Sequence, residues 1–253
     1  MRIAYLDCFS GISGDMLLAA LVDAGADRQR IEAELRKLPV GAFRLEWKSV
    51  VKTGVSALKL DVIDESMPPI SPLKQLKVIG SDHVHRGYKE IVEMIKAANL
   101  APRVTSRALA VFEKIAIAEA KIHDVPVETV HFHEVGALDS IVDVVGIALG
   151  LEELEIDELY SGHVPTGNGY VRCDHGLYPV PAPATMEMLI GIPLRRTTIQ
   201  KELTTPTGAG VAAALVREFG PLPSMTVEKI GYGAGTRDLP DQPNVLRLLV
   251  GQL

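Results

Sequence analysis

The sequence predicts an α/β fold of mixed α+β character, on three observations. An apolar run at the N-terminus passes through a glycine-containing loop into a helical pattern, giving a strand-loop-helix opening. A β-hairpin pattern and then a long helical stretch occupy the middle of the chain. Two short runs of strand character close it. Strands and helices alternate irregularly, which leaves α/β and α+β arrangements both open.

The elements follow in order. Residues 2–7 read as a buried strand, and Cys8-Phe9-Ser10-Gly11-Ile12-Ser13-Gly14-Asp15 as a loop. A helix over about 15–24 has Gly25 as its C-terminal stop. Asp27 is placed to cap a second helix with the stripe Ile31, Leu35 and Leu38, ended by Pro39. Phe43, Leu45 and Trp47 alternate in one run and Leu58, Leu60 and Val62 in the next, with Lys52-Thr53-Gly54 between them, a hairpin pattern. Residues 64–87 carry Pro68, Pro69, Pro72, Gly80 and Gly87 and read as a long surface loop, whose His83 and His85 suit metal capture or, the better-supported reading, a solvated surface. A helix over 88–98 presents Tyr88, Ile91, Val92 and Ile95 on one face. Pro102 opens a longer helix to about 122, with Val104, Ala108, Val111, Phe112 and Ile115 as its stripe. Residues 158–184 are rich in Gly and Pro and predict short strands and tight turns. A helix is expected from Pro206 to just before Gly220, then strands near 225–231 and 244–250.

Composition excludes several classes. The 253 residues are 47% hydrophobic and 23% charged, an ordinary globular balance that suits one domain over 1–253, with a subdivision possible near 64–87. A net charge of −6 without a basic block argues against nucleic-acid binding. No apolar run approaches membrane-spanning length, and Asp7 comes too early for a signal peptide. Two cysteines, Cys8 and Cys173, do not make a disulfide scaffold and fit a reducing cytoplasm.

Four segments carry possible chemistry. In 129–143, His131 and His133 share a face if the segment is extended, and paired imidazoles suit nickel or zinc. Glu134 follows directly, Asp139 is placed to cap the next helix, and Asp143 shares a helical face with Asp139. The same residues also fit a polar groove with a capped helix. In the loop of Ser10, Gly11, Ser13, Gly14 and Asp15, glycines let the backbone approach a ligand and a helix start offers free amides to a phosphate. It is neither a P-loop nor a dinucleotide fingerprint, and a plain capped turn is the bland alternative. Asp7 and Asp15 are also candidates to meet around a hard cation. Cys173 and His175 are two apart, a softer metal pair if the thiol is more than a small apolar side chain. Thr205 with Pro206 makes a good helix start, whose amides and whose Thr205 and Thr207 hydroxyls are suited to a phosphate.

Taken together, these segments resemble a known family. Tyr5-Leu6-Asp7-Cys8-Phe9-Ser10-Gly11-Ile12-Ser13-Gly14-Asp15-Met16 is similar to the opening signature of the LarC nickel-insertion family, and 131–143 to its central one. Pro179-Val180-Pro181-Ala182-Pro183-Ala184-Thr185, Thr204-Thr205-Pro206-Thr207-Gly208-Ala209 and Lys229-Ile230-Gly231-Tyr232-Gly233-Ala234-Gly235 follow in the family's order. The resemblance implies nickel insertion into pyridinium-3,5-bisthiocarboxylic acid mononucleotide, forming the nickel-pincer nucleotide of lactate racemase. It implies use of CTP with Mg or Mn, and delivery of the product to lactate racemase. His131, His133 and Glu134 are then the metal candidates, with Cys173 and His175 as a second pair. Glu134, Asp139 and Asp143 are candidates for the base that takes the ring proton. The chain departs from the family in two ways. The His-rich run before the 88–98 helix is reduced to His83 and His85. The family also continues past the strand near 250 into a part associated with CTP binding and oligomerisation, so the resemblance implies that full activity needs that part in trans. Two rival readings are a metal-dependent hydrolase and a non-catalytic nickel-binding module.

Overall fold

The structure, a computed structural model, describes residues 1–66, 86–132, 135–173 and 176–253. Strand β1 (Arg2–Asp7) leads into α1 (Gly14–Asp23) and α2 (Arg28–Leu35). The hairpin β2 (Phe43–Lys52) and β3 (Val55–Asp64) follows, then α3 (Tyr88–Ala97), α4 (Pro102–His123) and α5 (Leu138–Glu153). Next come β4 (Glu158–Ser161), β5 (Val164–Pro165), β6 (Tyr170–Cys173), β7 (Gly176–Pro179), α6 (Pro183–Met188) and β8 (Leu194–Arg195). The described chain closes with α7 (Pro206–Leu215), β9 (Val216–Phe219), β10 (Thr226–Ala234) and β11 (Val245–Gln252).

Among these, seven strands form one mixed sheet in the order β2-β3-β10-β11-β1-β4-β9. β1 runs antiparallel to β11 and parallel to β4, which settles the fold as mixed α/β. The near-continuous apolar run of β1 follows from its central place, where Ile3, Ala4 and Leu6 are wholly buried.

Helix α1 is apolar all round and is buried from Met16 to Leu21, as such a helix must be. It lies on β10, β3 and β11, with α5 packed over it, and α4 links α5 to α7. The approach of α1 to β10 is so close that a Cβ at Gly233 would stand 1.7 Å from the Met16 carbonyl oxygen, and one at Gly231 2.0 Å from that of Ala20. The glycines of the 229–235 motif are therefore the seat of α1.

Local chemistry explains most boundaries. Gly25, at φ +101, closes α1, with its amide donating to Val22 and that of Ala26 to Leu21. The Asp27 carboxylate accepts from the Gln29 and Arg30 amides at 2.9 and 3.2 Å, capping α2. Thr53 and Gly54, both at positive φ, turn the β2–β3 hairpin, pairing Lys52 with Val55. Two expectations fail. The helix from Pro206 stops at Leu215, because Val216–Phe219 is drawn into parallel pairing with β4 at the sheet edge. Asp139 does not cap α5: Ala137 holds that position, and Asp139 lies inside the first turn, its carboxylate accepting from the Ser140 amide at 2.8 Å. There its charge still opposes the positive end of the helix. The predicted loop with His83 and His85 falls largely outside the described residues.

Candidate functional site

Three helices begin at one cleft. The starts of α1, α5 and α7 surround a space of about 450 Å³, closed on the remaining side by β3 residues Lys59 to Ile63 and by Thr236. The segments that hold it are stitched together by backbone. The Ile12 amide donates to Leu203 O at 3.2 Å and the Thr205 amide to Ile12 O at 3.0 Å, so the loop before α1 and the start of α7 run as a short paired ribbon. Thr205 caps α7 as expected, accepting from the Gly208 amide at 3.2 Å.

Asp143 is the unusual residue. It sits one turn into α5, buried, and faces the start of α1. A Cβ on Gly14 would stand 2.6 Å from the Asp143 carboxylate, so only glycine leaves it room. The Asp15 backbone amide hydrogen-bonds that carboxylate, a cap supplied to α1 from another helix, since the Ser13 side chain caps nothing. The Oδ1 atom of Asp143 has no hydrogen-bond partner among the described residues. Burial pushes the Asp143 carboxyl well above the usual carboxylate range, and the charges of Asp15 and Asp139 push it further against the pull of Lys59.

Lys59 is the cation of the cleft. Its ammonium is nearly buried and lies 2.9 Å from Asp15 and 3.0 Å from Asp61. Burial draws the ammonium down, but these two carboxylates more than offset it and hold Lys59 above its ordinary value. The Asp15 carboxylate also accepts from the Ser13 hydroxyl.

Ser13, Gly14, Asp15, Asp139, Asp143, Thr205 and Thr207 all line the cleft. Ser10 and Gly11 do not. The Ser10 hydroxyl is buried and donates to Pro243 O at 2.7 Å, and Gly11 packs on Leu203. Asp7 and Asp15 do not share a cation site, because Arg247 engages Asp7 and Lys59 engages Asp15. His131 is exposed and bridges to Gly87, while its neighbours Val130 and Phe132 are buried, Phe132 against Tyr88 and Phe112. Four positions on, Val135 lines the cleft. Cys173 lies in another hollow, with Glu119, His123 and Thr185. His133, Glu134 and His175 lie outside the described residues, and among the described residues no three His, Cys, Asp or Glu side chains are placed to hold a metal. The structure adds Lys59, Asp61, Ser140 and Thr236. Lys59 was not legible, because it sits at a polar position of the alternating β3 pattern, where a lysine is ordinarily solvated.

Comparison with known proteins identifies the family. The family model described as nickel insertion protein matches residues 4–252. A pyridinium-3,5-bisthiocarboxylic acid mononucleotide nickel insertion protein of Geobacillus kaustophilus is 55% identical over all of this chain and 60% of its own length. Proteins of the same name from Staphylococcus epidermidis and Desulfitobacterium hafniense are 49% and 45% identical, over 98% and 100% of this chain and 59% of each relative. The chain thus spans about three-fifths of the length of these relatives. No solved structure matches significantly. No helix among the described residues is long and apolar enough to cross a membrane.

Proposed function

The chain belongs to the nickel insertion protein family, and from that membership we propose that it inserts nickel into pyridinium-3,5-bisthiocarboxylic acid mononucleotide at the cleft where α1, α5 and α7 begin. Nickel is the substrate ion. Two thiocarboxylate sulfurs and one ring carbon become its ligands, so a C–H bond breaks, a C–Ni bond forms, and one proton must leave. The observation that carries the reading to this cleft is Asp143, a buried carboxylate with one oxygen unpartnered among the described residues and a raised affinity for protons. A group of that kind is suited to accept the ring proton, and a carboxylate at its ordinary value is a weaker base. Lys59 and the three helix starts oppose the negative charges of substrate and carboxylates, while Asp139 and Asp15 keep Asp143 basic.

In this reading His131, His133 and Glu134 collect nickel, and in sequence they come just before Val135, which lines the cleft. Use of CTP with Mg or Mn, involvement of the segment that the longer relatives carry, and hand-over of the product to lactate racemase belong to the same proposal. They rest on the family resemblance. The experiment mixes purified chain, nickel and metal-free mononucleotide, with and without CTP and the remaining part of a longer relative, and follows cofactor absorbance. The variant His131→Ala/His133→Ala should fold normally and lose insertion. Normal insertion by that variant would remove the histidines from the mechanism, and nickel binding without insertion under every condition would favour a presenting module over a catalyst.

A further inference from the structure

A second cavity, of about 400 Å³, lies between the 195–199 segment and the 239–242 turn, and it shares no lining residue with the cleft. Its wall holds Arg195, Arg196, Thr197 and Thr198, opposite Phe9 and Asp241. In a chain of net charge −6, the arginines are mostly engaged by carboxylates: Arg2, Arg44, Arg103, Arg107, Arg217 and Arg247 each lie within ion-pair distance of at least one. Among the described residues neither Arg195 nor Arg196 has such a partner within ion-pair distance. Both guanidinium groups line this one cavity without an ion-pair partner among the described residues, so a phosphate entering it meets two forked cationic donors.

Both walls are fixed before any ligand arrives. The Asn168 side chain donates to Thr197 O at 2.8 Å and its backbone amide to Ile199 O at 3.0 Å. On the other side the Gln242 side chain donates to Phe9 O at 3.2 Å and to the Ser10 hydroxyl at 2.7 Å. The buried Leu239 and the Phe9 ring supply an apolar surface beside the charged one. The forked donors of two arginines with a threonine hydroxyl match a phosphate.

We infer that this cavity binds the phosphate of a mononucleotide ester, held by Arg195, Arg196 and Thr198. The inference rests on the nickel-insertion reading only for the identity of the ester, a pyridinium mononucleotide. It assigns the loop at 195–199 the anchoring of the substrate by its phosphate.

Calorimetric titration of the whole chain with nicotinamide mononucleotide, a pyridinium mononucleotide without sulfur, tests it in the absence of nickel. The chain should bind the probe saturably, and orthophosphate should compete. The exposed pair Arg195→Ala/Arg196→Ala should weaken binding by about tenfold or more while the circular dichroism stays unchanged. Unchanged affinity in the arginine variant, no binding by the parent chain, or binding of orthophosphate but not the mononucleotide would each overturn the inference. Because the titration needs neither nickel nor turnover, a chain that binds the mononucleotide normally yet never inserts nickel speaks against the insertion reading alone.

Discussion

Asp143 couples stability to chemistry. Its carboxyl is raised from an ordinary 3.8 by burial first, then by Asp15 and Asp139, with Lys59 pulling the other way. The folded chain therefore holds this proton more tightly than the unfolded chain does. That contribution to stability is complete below the ordinary carboxylate value and is lost as pH rises through the raised value. Asp143→Asn keeps an acceptor for the Asp15 amide but cannot ionise. It should leave the melting temperature nearly unchanged near pH 4 and raise it at pH 8. The gain is about 1.4 kcal/mol per pKa unit, or about 2–4 °C per kcal/mol for a chain of this size. Thermal melts across that range would show it, and a variant less stable than the parent at pH 8 would refute the raised carboxyl. At this scale the sequence was legible in part. The spacing of Asp139 and Asp143 placed both on one helical face, but burial of the second depends on Gly14, which lies far away in the chain. For the same reason Lys59, a polar residue in an alternating strand, carried no mark of its role.

Elements were read well where local chemistry decides them. Asp27, Gly25, Thr53-Gly54 and Thr205-Pro206 set helix ends and a hairpin by hydrogen bonds or backbone angles that need only neighbours. The exception is 216–219. Nothing local stops the helix from Pro206 there, and the pairing partner is β4, more than fifty residues earlier. The glycines of 229–235 were visible as a motif but not as a packing device. Gly233→Ala tests that device, since the new methyl would meet a backbone oxygen, which cannot swing aside as a side chain can. A loss of about 3 kcal/mol is expected, read as a fall in melting temperature of about 6–12 °C. Alanine at Gly54, in open space, is the contrasting variant and carries only the strain of its positive φ. Equal effects at both positions would show that α1 is not seated as described.

The whole molecule is organised around convergence. A mixed sheet carries α1 on one face, α5 lies across α1, and the starts of three helices come together with β3. Segments near 13, 60, 139 and 205 form one cleft, which no linear pattern displays. The order of motifs along the chain pointed to the family, whereas the meeting of those motifs required the fold. Ser10 and Gly11 illustrate the difference: the motif includes them, but they build the ribbon under the cleft and do not line it.

The central claim is that the ring proton leaves through Asp143 in this cleft. Single-turnover insertion measures it most directly, with nickel-saturated chain, metal-free mononucleotide and whatever further part of a longer relative full activity requires, followed by cofactor absorbance. Asp143→Asn should bind nickel and mononucleotide as the parent does and insert at least about a hundredfold more slowly, the loss expected on removing a general base. Insertion by Asp143→Asn at the parent rate would contradict the account.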